Sequence, residues 1–269
     1  MPSLEGQEVP FWQSEWQGIT FASLDVELSV TDLPTSGFYT AFNARLADRY
    51  GTYENLPKDW CKTKTSTSRT LATLIDSGST VLSLGCGIGF VEYDLALFRP
   101  DLHIFCSDFA DPSGPWAVAT LDNVKPGWTL SQGVESGNGE SHKFDVIYLC
   151  QVLYALPSEE AITLLAKLAT YLTDGGLLIL VNSSVVPEEN GQEQELRRAV
   201  GLRHLSQFLA KAVRGLRRLV FARTTTVYQP QFWGWQRDNW RYQEIVTEAG
   251  LKSVDVFPAS GQSFLVATN

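Results

Sequence analysis

Two periods of apolar spacing run through the chain and divide it into strands and helices. Val81-Leu82-Ser83-Leu84 is an apolar run that ends in glycines at alternate positions, Gly85, Gly87 and Gly89. Helical spacing resumes at Val91, Leu95, Ala96 and Phe98, which predicts a buried strand, a tight turn and a helix start. His103–Ser107, Phe144–Cys150 and Leu177–Val181 read as further buried strands, and Trp128–Gln132 as another. Ile19–Val30 is expected to hold a strand, with Leu24–Val30 alternating. Helices are predicted over Phe38–Tyr50, over about Thr67–Ile75, after Ser158 as N-cap with Glu159 and Glu160 in the first turn, and over Arg241–Ala249 closing at Gly250.

The last two predicted strands fix a topological feature. Ser253–Phe257 and Ser263–Ala267 both alternate, and only Pro258–Gln262 lies between them. A parallel crossover needs a dozen or more residues, so this pair must be an antiparallel hairpin. The chain is therefore α/β, with a mainly parallel sheet carrying one reversed strand.

The glycine turn is the first candidate site. Glycine permits positive φ and close approach of a ligand to the backbone, and the following helix offers unpaired N–H groups and a positive dipole end. A dinucleotide fingerprint wants glycine or alanine at position 90, where this chain has Phe90. Asp108 ends the second strand 23 residues after Gly85, a spacing that suits a carboxylate accepting both hydroxyl protons of a ribose.

Composition narrows the classes. The 269 residues are 44% hydrophobic and carry a net charge of −9, so a sizeable core is expected and a general nucleic-acid binder is disfavoured. Cys61, Cys86, Cys106 and Cys150 form no C-x-x-C pair, so no metal site is expected and the thiols read as structural. The N-terminus has no basic region followed by an apolar stretch, and no run approaches the roughly 18 apolar residues of a membrane span. A cytoplasmic protein is expected. Against this acidic background, Arg197, Arg198, Arg203, Lys211, Arg214, Arg217, Arg218 and Arg223 accumulate without one acidic residue from 196 to 223. Leu196–Phe221 also has helical apolar spacing, and the aromatic stretch Gln231-Phe232-Trp233-Gly234-Trp235 follows. Its partner is either an anionic acceptor or, through 196–223, the surface of an anionic membrane.

Taken together, Val-Leu-Ser-Leu-Gly-Cys-Gly-Ile-Gly at 81–89, Ser-Asp at 107–108, Phe-Asp-Val-Ile at 144–147, Val-Leu-Tyr-Ala-Leu-Pro at 152–157, Asp-Gly-Gly-Leu-Leu-Ile-Leu at 174–180 and Ala-Gly-Leu at 249–251 resemble a class I S-adenosylmethionine (SAM)-dependent methyltransferase of the small-molecule type. The resemblance covers roughly residues 65–185 and 235–269. It implies a Rossmann-like, mainly parallel seven-stranded sheet with an antiparallel last strand, helices on both faces and a helical lid insertion. The expected division is an N-terminal flap with helices over 1–65, a cofactor-binding core over 66–186 and 236–269, and a basic substrate lid over 187–235.

The resemblance also implies SAM as cofactor and a set of roles. Gly85, Cys86 and Gly87 would pass beneath its methionine part, Asp108 would hold the ribose, and Phe109 would pack on the adenine. Val134 and Glu135 would reach the adenine edge, while Cys150 and Gln151 would face the methionine tail and methyl group. Two departures stand out: Ser83 occupies a position where the family usually has an acid, and Ala155 one where it often has histidine.

The expected activity is methyl transfer, at oxygen, to a small or carrier-bound metabolite of anionic or sugar type. An oxygen acceptor calls for a base within hydrogen-bond reach. His204 leads the candidates, followed by Tyr154 and His142, with His103 expected to be buried in its strand. Lys62 and Lys64 read most simply as solvated. The rival readings are a protein or RNA methyltransferase docking through the basic segment, a non-catalytic methyltransferase-like binding protein, and a nicotinamide oxidoreductase, which Phe90 disfavours.

Overall fold

The computed structural model describes residues 8–110, 116–129, 142–183 and 230–269. The chain divides into one unit of residues 1–184 with 229–269 and a second of 185–228; the second falls outside the described residues.

A seven-stranded sheet organises the first unit. Its strands are β4 (Thr80–Leu84), β5 (His103–Ser107), β6 (Val124–Lys125), β7 (Phe144–Cys150), β8 (Leu172–Ser183), β10 (Lys252–Ala259) and β11 (Gln262–Thr268), in the order β10-β11-β8-β7-β4-β5-β6. The strands from β8 through β6 pair in parallel, and β11 is antiparallel to both neighbours. The fold is the Rossmann-like arrangement with a reversed strand that the short 258–262 link required.

Strand alternation sends side chains to two cores. Val81, Ile104, Val146, Tyr148, Ile179 and Val181 pack on one face, beneath α2 (Lys58–Leu74) and α3 (Phe90–Phe98). Leu82, Ile147, Leu149, Leu178, Leu180 and Leu265 pack on the other, beneath α4 (Ser158–Ala169) and α5 (Asn239–Glu248). Both faces are covered, as a parallel sheet requires.

Helix α2 begins nine residues before its predicted start at Thr67. The stretch Lys62–Ser68 is polar, which hid it from apolar periodicity. Its hydroxyls bond back to carbonyls four residues earlier, Thr63 to Asp59, Thr67 to Thr63, Ser68 to Lys64 and Thr70 to Ser66, so the polar run is compatible with a helix. In α4 the N-cap position belongs to Pro157, and Ser158 is the first helical residue.

The N-terminal part departs most from expectation. Leu24–Val30 forms no strand. Asp25 takes a positive φ of 53°, and the segment is held by single bonds, with the Phe232 N–H donating to Ser29 O and the Gln231 side chain bridging Ser29 and Asp32. Strand β1 (Glu8–Gln13) instead pairs antiparallel with β9 (Gln231–Arg237), so the predicted aromatic loop is a strand. Arg237, its side chain fully buried, ties the pair to the main body. It donates to Leu153 O and Leu156 O at 2.6 Å each and to Glu8 Oε1 at 2.9 Å. Small β2 (Glu15–Trp16) and β3 (Ile19–Thr20) and helix α1 (Ser36–Tyr50) complete this layer.

The third parallel strand is β6, not Trp128–Gln132. Trp128 turns inward, edge-on to Phe144 and Tyr171, and 130–132 lie outside the described residues.

Candidate active site

The carboxyl ends of β4, β5 and β7 meet at the glycine turn. All three glycines have positive φ: 77° at Gly85, 56° at Gly87 and 75° at Gly89. They are not equivalent. A Cβ at Gly85 would run into Val152 Cγ2, and one at Gly89 would come within 2.6 Å of Val118 Cγ1, whereas one at Gly87 would meet nothing within 4 Å. Gly85 and Gly89 make room for protein, and the Cβ direction of Gly87 is open.

The turn is fixed from below. Gly85 N–H and Cys86 N–H donate to Ser107 O at 2.7 and 3.2 Å, and Gly89 N–H donates to Cys86 O at 2.9 Å. Tyr53 donates its hydroxyl proton to Ile88 O at 2.6 Å and stacks on Trp116.

Asp108 stands at the end of β5, as its spacing predicted. Oδ2 accepts from Gly87 N–H at 2.6 Å and Oδ1 from Ala110 N–H at 2.8 Å. Burial pushes the carboxyl above its ordinary range, and backbone donors at Ala110, Gly87 and Phe109 pull it part of the way back. Each oxygen retains acceptor capacity for a diol. Beside it the Phe109 ring is 69% exposed.

At the end of β7, Cys150 is buried and Gln151 adopts a positive φ of 59°. Gln151 Oε1 accepts from Ser183 Oγ at 2.9 Å, while the buried Nε2 has no partner among the described residues. A non-glycine residue held in the left-handed region carries a backbone cost of about 1–3 kcal/mol that its surroundings must offset.

Sequence reasoning missed a buried polar cluster beneath the turn. Glu92, 1% exposed, accepts at Oε1 from Ser83 Oγ at 2.6 Å and from Tyr148 OH at 2.8 Å. Its Oε2 is buried without a partner among the described residues. Burial raises the carboxyl, against the pull of the two hydroxyl donors and of the nearby Lys64 charge. Ser83 on β4, which stands where the family usually has an acid, is thus a hydrogen-bond donor to an acid from α3. The signal was present in the sequence as a glutamate three residues after Gly89.

Tyr154 lies just beyond β7, in an aromatic layer built by the N-terminal segment and β9. Its ring stacks on Trp233 and tilts against Phe11. A Cβ at Gly234 would overlap Tyr154 O, so β9 passes directly over this residue. Burial holds the Tyr154 hydroxyl well above its ordinary pKa, and pushes that of neighbouring Tyr39 up to about 12. Tyr154 thus sits beside Tyr39 and under β9.

The other predicted bases separate. His142 precedes β7 and packs on Phe105 and Phe144, at the amino edge of the sheet and away from the turn. His103 begins β5 at that same edge, and is exposed, not buried. His204, Val134, Glu135 and the basic run 196–223 lie outside the described residues.

A doubly covered, mainly parallel sheet with a reversed strand, a glycine turn and an acid facing it defines a Rossmann-like fold, a class in which ligands bind at the carboxyl ends of the strands. A family model described as a methyltransferase domain matches residues 54–245, and the chain belongs to that family. No curated protein matches the sequence.

Among solved structures, the chain is similar to CalO1, a methyltransferase in calicheamicin biosynthesis in its SAH-bound form, with 19% identity and a TM-score of 0.50 over 86% of this chain and 59% of that one. It is similar to the pyocyanin biosynthetic protein PhzM, with 15% identity and a TM-score of 0.52 over 86% and 63%. Human N-acetylserotonin methyltransferase, in complex with SAM, gives 15% identity and a TM-score of 0.50 over 87% and 56%. The chain spans less than two thirds of the length of each of these proteins.

Proposed function

We propose that the chain binds SAM on the Gly85–Gly89 turn and transfers its methyl group to an oxygen of a small or carrier-bound acceptor. The observation that carries the reading is the open space at Gly87 beside the Asp108 carboxylate. The residues fit the group: a carboxylate for a diol, the exposed Phe109 ring for a flat base, and the orphaned Gln151 amide for a polar tail. When bound, SAM supplies an electrophilic methyl on a positive sulfur that leaves as a neutral thioether.

In this reading Asp108 fixes the ribose and Gly87 admits the backbone-hugging part of the ligand. Cys86, Cys150 and Gln151 border the methionine tail, and Val134 and Glu135 the adenine edge. Such alignment, with water shut out by the aromatic layer around Tyr154 and Trp233, accounts for much of the rate of an in-line transfer. Tyr154 hydrogen-bonds or walls the acceptor, and His204 takes its proton. The one-sided basic charge of 196–223 supports an anionic acceptor.

The test is a turnover assay with methyl-labelled SAM and separate pools of nucleotide sugars, acyl-carrier thioesters, phenolic metabolites, protein and RNA. Label transferred to a small-molecule or carrier pool supports the reading. Transfer only to protein or RNA contradicts it.

A further inference from the structure

A second opening is lined by no residue of the glycine turn and by none of the strand ends around it. This cavity of about 310 Å³ lies between the single turn Tyr53–Asn55, the start of α2 and the first turns of α3. Tyr53, Phe90 and Tyr93 supply its rings. Tyr53 meets Phe90 edge-on with centroids 5.2 Å apart and tilts against Tyr93 at 5.0 Å.

Two carboxylates, Glu54 and Asp94, line the same space. Asp94 is half-buried. Its Oδ2 is shut away from solvent with no partner among the described residues, so the carboxylate depends on Oδ1 for its solvation. A charge that has lost part of its hydrogen bonding without replacement gains from a strong donor. Both carboxylates bear on the Cys61 thiol, another lining group: burial raises it most, and the two charges add to the rise. Lys58, exposed at the rim, forms no ion pair with either among the described residues.

The donor set does not suit a metal ion, since among the described residues no three carboxylate, thiol or imidazole groups come together as ligands. It suits a larger cation with an apolar body. An ammonium is attracted by carboxylates and by aromatic faces alike, while the body replaces water against the rings.

We propose that this cavity is a second ligand site, taking an organic amine whose ammonium meets the Asp94 carboxylate and whose apolar body lies against Tyr53, Phe90 and Tyr93. The site is separate from the glycine turn but shares a wall with it. Tyr53 also donates its hydroxyl proton to Ile88 O, and Phe90 directly follows Gly89.

Phenethylamine is the probe, and 2-phenylethanol, the same body with a hydroxyl in place of the ammonium, is its neutral control. Calorimetry of the whole chain should show saturable binding of the amine and binding of the alcohol weaker by about tenfold or more. Asp94→Asn should weaken the amine by about tenfold or more, the range of a charge-assisted contact, and leave the alcohol unchanged. Lys58→Met should keep or tighten the amine. The unaltered protein gives a second readout: phenethylamine should slow alkylation of Cys61 by N-ethylmaleimide, followed by peptide mass, without protecting Cys86.

Absence of saturable amine binding, equal affinity for the alcohol, or full amine affinity in Asp94→Asn overturns the proposal. So does protection of Cys86 in place of Cys61, which would put the amine at the glycine turn. Each of these results leaves the cofactor reading standing, because SAM binding is read separately.

Discussion

Asp108 and Gly87 are joined by a 2.6 Å hydrogen bond from the glycine N–H to Oδ2. That contact ties the end of β5 to the one glycine of the turn whose Cβ direction is empty. Burial lifts the Asp108 carboxyl, and the Gly87 bond is one of three backbone donors that lower it part of the way back.

A pH dependence of binding follows. Ribose hydroxyls donate to the ionised carboxylate, so SAM affinity should rise as pH climbs through the raised Asp108 pKa and level off above it. Asp108→Asn should remove the rise, and Asp108→Ala should cost about 1.5–3 kcal/mol of binding near neutrality. Calorimetric titrations across the acidic range check both. Unchanged affinity in Asp108→Ala would remove the residue from the site.

The glycines should separate by substitution. Gly87→Ala should cost the fold only the left-handed backbone penalty of about 1–2 kcal/mol and weaken cofactor binding by about tenfold or more. Gly85→Ala adds a collision with Val152, so it should lose about a further 1–3 kcal/mol of stability. Denaturant melts paired with calorimetry tell the two apart. Equal effects at both positions would make the turn merely structural.

Much of this site was legible because it rests on short-range chemistry. Alternate glycines can be read as a turn, and an acid at a strand end can be counted into place. The 258–262 link forced the hairpin for the same local reason. The rest depended on contacts distant in sequence. Nothing near Gln231 signals that it will become a strand, because its partner is Glu8–Gln13 at the other end of the chain. Nothing in Lys62–Ser68 marks Lys64 as half-buried, because a polar helix face is defined by what packs against it. His142 was a candidate until β7 acquired a direction, which put it at the amino edge.

Glu92 gives the fold its own pH signature. Its carboxyl is raised by burial above its ordinary value of 4.5, so the folded state holds that proton more tightly than the unfolded chain. Its contribution to stability is therefore full below about pH 4.5 and declines as pH rises through the raised folded value. Glu92→Gln keeps an acceptor for Ser83 and Tyr148 and removes the ionisation. Its unfolding free energy should fall less than that of wild type over this window, measured by urea melts. Parallel curves would show that Glu92 does not titrate with folding.

The most direct measurement is calorimetry of the intact chain with SAM and, separately, with NAD. Both ligands carry a ribose, but a dinucleotide turn calls for glycine or alanine where this chain has Phe90. Saturable binding of SAM, weakened in Asp108→Ala and absent for NAD, is the predicted result. Tight NAD binding, or no binding of SAM by the folded protein, would contradict the assignment of the glycine turn and with it the proposed methyl transfer.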